Sequence, residues 1–149
     1  MTRSLAACSL AAALSACVMA EPATLSSEAQ QLAQQWHELR GKPGHFSGGQ
    51  WNEQVDKWQG PKHQLMQQLF DLAWNERYTP SQLRSLLGAP DKVWTPTEAE
   101  YADWLRMTEW RGQPEGEFWA YAWRGQHDQL LFAVEGNQLK AAGWLLMRE

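Results

Sequence analysis

The stretch Thr79–Asp91, TPSQLRSLLGAPD, limits the fold more than any other part of the chain, because each of its residues specifies the same local structure. Thr79 is an N-cap, since its hydroxyl can accept from a free amide of the first turn. Pro80 takes the first helical position, where a missing N–H costs nothing, and Gln82 completes a capping box. Leu83, Leu86 and Leu87 make one apolar stripe. Gly88 can adopt the left-handed conformation that stops a helix, and Pro90 prevents its resumption. The stretch marks a fold and marks no chemistry.

The segments before it read as two more helices. Ser27-Glu28-Ala29-Gln30 is a capping box that opens a helix to about Arg40, with Leu32, Trp36 and Leu39 on one side. Gly41-Lys42-Pro43-Gly44 ends it. Pro61 begins the next helix, whose broad apolar face carries Leu65, Leu69 and Leu72 with Met66, Phe70 and Ala73. After the central helix, Thr95-Pro96-Thr97-Glu98 repeats the capping pattern, and a helix is expected from about 97 to 108. Gly112 to Gly116 is a turn.

The last third changes period. Glu117 to Trp123, Gln129 to Glu135 and Gln138 to Met147 read as strands, joined by a tight polar connection at 124–128 and by a Gly136-Asn137 hairpin turn. The expected fold class is therefore α+β, with N-terminal helices packed on one face of a C-terminal three-stranded antiparallel β-meander.

The first residues give an address. Met1-Thr2-Arg3 is a short positive region, and Ser4 to Ala16 is apolar but too short for a stable membrane anchor. The segment ends in Leu14-Ser15-Ala16-Cys17, which resembles the lipobox of bacterial lipoproteins, where cleavage precedes the cysteine and the cysteine carries the lipid. The expected division is a lipoprotein signal peptide over 1–16, a tether over 17–26 and one domain over 27–149. Simple secretion with cleavage after Ala20 is the alternative. Val18, and not Asp, follows the cysteine, which resembles outer-membrane sorting in lipoproteins of enteric type.

Cys8 and Cys17 are the only cysteines, so the domain must rely on its core and not on a disulfide. The formal net charge is −4, and loss of Arg3 with the leader makes the remainder one unit more negative. Mild acidity argues against nucleic acid, which needs a basic face, and against a polybasic membrane patch. The chain carries 10 tryptophans, either as core filling or as part of a binding surface.

His45 to Gly60, HFSGGQWNEQVDKWQG, follows neither the helical nor the strand period. A loop of this length is functional or loosely ordered in a small domain. Phe46, Trp51 and Trp58 are spaced so that their own rings could pin it. His45, Phe46, Trp51, Trp58 and His63 are the candidate recognition residues; the alternative is a structural lid over the core. His45, Asp56 and His63 could also converge as two imidazoles and a carboxylate, the set needed for a general base or a facial metal site. His37, His45, His63 and His127 lack metal spacing, and no phosphate loop or nucleophile elbow is present. No cofactor or metal is expected.

The capped helix ending in Leu87-Gly88-Ala89-Pro90, then Trp119-Ala120-Tyr121, then Leu131-Phe132-Ala133-Val134-Glu135-Gly136-Asn137-Gln138-Leu139, together resemble the SmpA/OmlA (BamE-like) family of small outer-membrane lipoproteins. The resemblance covers residues 78–149. It implies helices on a meander, an acyl anchor at Cys17 that places the domain on the outer membrane facing the periplasm, an envelope protein as partner, and an accessory role in outer-membrane assembly or integrity. The residue reading keeps a second possibility, a small periplasmic hydrolase or metal-dependent enzyme on His45, Asp56 and His63.

Overall fold

A computed structural model of the chain describes residues 24–147. The expected signal peptide, Cys17 and most of the tether lie outside the described residues. The chain is α+β. Helix α1 spans Ser27–Arg40, α2 Pro61–Asn75 and α3 Pro80–Leu87. Strand β1 (Lys92–Trp94), helix α4 (Tyr101–Met107) and strand β2 (Glu109–Gly112) follow. Strands β3 (Glu117–Arg124), β4 (Asp128–Glu135) and β5 (Gln138–Leu146) form the meander.

The expected three-stranded sheet is corrected to five strands, all antiparallel, in the order β1-β3-β4-β5-β2. The meander is its centre. Three- and four-residue edge strands, Lys92–Trp94 and Glu109–Gly112, close the two sides. Both are too short to show a period of two, and Gly112 reads locally as a turn residue.

The helices are also not confined to one face. α1, α2 and α3 pack on the face carrying Trp119, Tyr121, Trp123, Leu130, Phe132, Val134, Ala142 and Trp144. The opposite face carries Phe118, Ala120, Leu131, Ala133, Ala141 and Leu145, covered in part by Trp94, Tyr101, Trp104 and Trp110. A sheet buried on both faces explains why β4 is apolar at consecutive positions, Leu130 to Val134, without alternation.

Local boundaries differ in two places. Ser26, not Ser27, caps α1: its hydroxyl accepts from Ala29 N at 3.2 Å. The expected 97–108 helix is shorter, Tyr101–Met107. The Glu98 carboxylate accepts from Thr95 N at 2.7 Å, but this pattern closes a turn before the helix and does not cap the helix.

The central stretch behaves as read. Thr79 Oγ1 accepts from Gln82 N, and Gln82 Oε1 accepts from Thr79 N. Gly88 has φ 77°, a region other residues rarely enter. The carbonyls past the end of α3 become an assembly point: Trp36 Nε1 and Arg40 Nη1 both donate to Leu87 O at 2.8 Å, and Tyr121 OH donates to Gly88 O at 3.0 Å. One helix end thereby joins α1, α3 and β3. No helix among the described residues is long and apolar enough to cross a membrane.

Candidate functional site

The loop between α1 and α2 is held by a buried carboxylate. Asp56 is fully buried, and its Oδ2 accepts from the backbone amides of His45 at 2.9 Å and Asn52 at 2.8 Å. Its Oδ1 lies so close to Gly44 that a Cβ there would sit 2.3 Å away. A single 3₁₀ turn, His45–Ser47, starts the loop. Val55 is buried, and its carbonyl accepts from Trp123 Nε1 at 2.8 Å, which fastens the loop to β3.

The three expected ring anchors therefore divide. Phe46 is half-buried and lies against the Arg124 guanidinium, 4.8 Å from its centroid. Trp51 and Trp58 instead stay 52% and 51% exposed. The Trp51 indole N–H donates to Glu53 Oε1 at 2.8 Å. The Trp58 ring rests on His63 with centroids 4.6 Å apart, and His63 packs in turn against Trp123 at 4.3 Å and Trp144 at 5.2 Å. The Trp144 indole N–H donates to Gln67 Oε1 at 2.9 Å. A column of rings thus runs from a half-exposed indole into the core. Gln59, next to Trp58, has φ 55°, a left-handed backbone uncommon for a residue with a long side chain.

The His45, Asp56 and His63 set does not assemble into an acid–base group. Asp56 spends its hydrogen bonds on backbone amides. His63 is sandwiched by indoles, and burial, reinforced by Arg124, holds its pKa below the usual value, so the ring is neutral at pH 7. His45 is exposed, edge-on to Phe46 at 5.4 Å. Among the described residues no cluster of three or more His, Cys, Asp or Glu could hold a metal ion. The 124–128 connection is closed by its own ion pair, Arg124 Nε to Asp128 Oδ2 at 2.7 Å.

Two residues carry more than the sequence indicates. Asp56 is an anchor of the loop and not a member of a catalytic set. Lys62 is only 4% exposed in the first turn of α2, with Nζ 5.7 Å from the Trp36 ring. Burial, aided by the nearby Arg40 charge, lowers its pKa to about 8. A lysine in the first turn opposes the helix dipole, and that is the sequence signal that marks it.

Comparison of the chain with protein-family models, with characterised proteins and with solved structures finds no significant match.

Proposed function

We propose that this chain is a lipid-anchored bacterial envelope protein, acylated at Cys17, acting as a non-enzymatic binding module accessory to outer-membrane assembly or integrity. The observation that carries the reading is the pair of half-exposed indoles, Trp51 and Trp58, on a loop whose backbone is fixed from within by Asp56. Large apolar rings held rigid at a surface lose little entropy on binding, which is why tryptophan anchors protein interfaces. The partner in this reading is an envelope protein that accepts the two rings. The lipobox at Cys17 and the SmpA/OmlA resemblance of residues 78–149 support the anchor and the setting. The alternative, a small periplasmic hydrolase or metal-dependent enzyme, draws less from the geometry, because it needs His45, Asp56 and His63 to face one another.

The test has two parts. Intact mass of the protein from membranes is compared between the natural chain and Cys17→Ser; a mass gain fitting acylation at a new N-terminal cysteine, lost with serine, is expected. Photo-crosslinking from positions 51 and 58 is then expected to trap an envelope protein that Trp51→Ala/Trp58→Ala does not retain. A soluble product beginning at Glu21, or crosslinks unchanged by removal of both indoles, overturns the reading.

A further inference from the structure

The second face of the sheet is not fully covered. α4 and its neighbours lie over the end that carries Phe118, Ala133 and Ala141, with Tyr101 stacked on Phe118 at 4.2 Å. At the other end Ala122 on β3 pairs with Gln129 on β4, and Gln129 with Leu145 on β5. β1 pairs with β3 only as far as Ala120, so no strand flanks Ala122 on that side. The result is a groove of about 550 Å³ above that end, walled by Trp94 and Trp104. It falls in the ~300–1,000 Å³ range of ligand sites.

Its chemistry is unusual for an unused surface. The Trp104 indole N–H is buried and has no hydrogen-bond acceptor. Gln129, 7% exposed, also lines the groove. Its Nε2 donates to Gln126 O at 2.8 Å, which orients the carboxamide from the hairpin side. A buried donor without a partner, beside a buried amide, is the pattern left when a ligand completes the site.

The charges at the rim are already matched. Asp91 accepts from Arg40 Nη2 at 2.7 Å and from Ala122 N at 2.8 Å. Lys92 Nζ donates to Glu98 Oε1 at 2.8 Å and lies over the Trp94 ring. The hydrogen-bonding capacity that faces the groove is therefore an indole N–H, carboxamides at Gln126 and Gln129, and the His127 imidazole. These groups select a ligand without charge.

We propose that this groove between Trp94, Trp104 and Gln129 binds a neutral oligosaccharide. A sugar ring has an apolar C–H face that suits an indole wall and hydroxyls that pair with a carboxamide's adjacent donor and acceptor. An acetamido carbonyl supplies the acceptor that the Trp104 N–H lacks. An acyl chain would leave both Trp104 and Gln129 unpaired. An extended peptide binds best along a free strand edge, whereas this floor is a sheet face whose backbone groups pair with neighbouring strands. The site lies on the sheet face opposite the helices and stands independently of the Trp51/Trp58 reading.

The test uses the full chain with Cys17→Ser, titrated with the trisaccharide of β-1,4-linked N-acetylglucosamine, with maltotriose and with a neutral Gly/Ser/Ala heptapeptide. The expected result is saturable movement of the Trp104 indole N–H resonance with a saccharide at micromolar to millimolar concentration. Trp104→Phe, which keeps a ring and removes the donor, weakens binding roughly five- to tenfold, the cost of one hydrogen bond. Ala122→Leu fills the floor and abolishes binding, with near-ultraviolet circular dichroism showing the fold retained. Trp58→Ala leaves saccharide affinity unchanged. The proposal fails if neither saccharide moves the Trp104 resonance, if both groove variants bind as the natural chain does, or if only the heptapeptide binds there.

Discussion

Lys62 shows at the residue scale what a single buried charge does to this domain. Its stem lies in the core between α1 and α2, and its ammonium group faces Trp36, Asp91, Asp56 and Arg40. Burial outweighs the two carboxylates, so the folded pKa, about 8, lies below the ordinary 10.5. The sign follows directly. Below pH 8 both folded and unfolded chains carry the proton, and the folded state bears the full cost of a buried charge. Between pH 8 and 10.5 the unfolded chain binds more protons, so stability rises with pH across that window. Lys62→Met keeps the stem and removes the charge. The variant is expected to be more stable at pH 7 by roughly 2–3 kcal/mol and to lack the rise. Urea unfolding of both proteins at several values from pH 6 to 10.5 measures the difference, in which other titrations cancel. Parallel curves would show that Lys62 keeps its ordinary affinity for protons. The sequence places Lys62 beside the Pro61 that opens α2, but it cannot show that Trp36, many residues earlier, closes over it.

At the scale of the element, the loop between α1 and α2 depends on one side chain in the way a helix depends on its caps. Asp56→Ala removes the acceptor for two backbone amides that are brought together only when the loop closes. Hydrogen bonds to a charged group are worth about 1.5–3 kcal/mol each, so a loss of about 2–4 kcal/mol is expected, with part recovered by water. Gly44→Ala reaches the same anchor sterically. Gly44 has φ −141°, open to any residue, so its only penalty is the Cβ 2.3 Å from Asp56 Oδ1. Both variants are expected to lower the urea midpoint and to alter Trp51 and Trp58 fluorescence together; a midpoint unchanged in Asp56→Ala would remove Asp56 as the anchor. The same contrast explains which elements the sequence reveals. Helices with local caps, above all Thr79–Gly88, are written in adjacent residues and are found where they are read. β1 and β2 are held by the meander and by nothing within themselves, so their three- and four-residue segments carry no period. The loop's aromatic content is equally visible, yet which ring is buried is not. Phe46 meets Arg124 and Trp58 meets His63 only after β3 and α2 are in place. Asp56 looked like a catalytic carboxylate because composition shows a charge between two histidines and does not show the amides that return to it.

Across the whole molecule the two faces of the sheet differ in what secures them. The helical face is one continuous core in which Trp36, Leu69, Leu83, Leu86, Leu87, Tyr121 and Phe132 are wholly enclosed. The other face is closed by small clusters around Phe118, Ala133, Ala120, Leu131 and Leu145, and by α4, in which no residue is buried. α4 is held chiefly by Tyr101, through its stack on Phe118 and its hydroxyl bond to Gly116 O at 2.7 Å, and by Trp104 against Trp94 at 5.5 Å. Seven residues with so little enclosed surface have small local stability. The second face is therefore expected to open without unfolding of the first. In native-state hydrogen exchange, the amides of Trp104 to Met107 should exchange at rates independent of low denaturant, through local opening. Those of Leu130 to Val134 should follow the global unfolding free energy. Tyr101→Ala should speed exchange in α4 by well over tenfold, and in β4 only by as much as it lowers global stability. If α4 and β4 instead shared one free energy and one denaturant slope, the sheet with both its layers would be a single cooperative unit. The groove beside Trp104 would then be a fixed cleft and not one whose wall can lift.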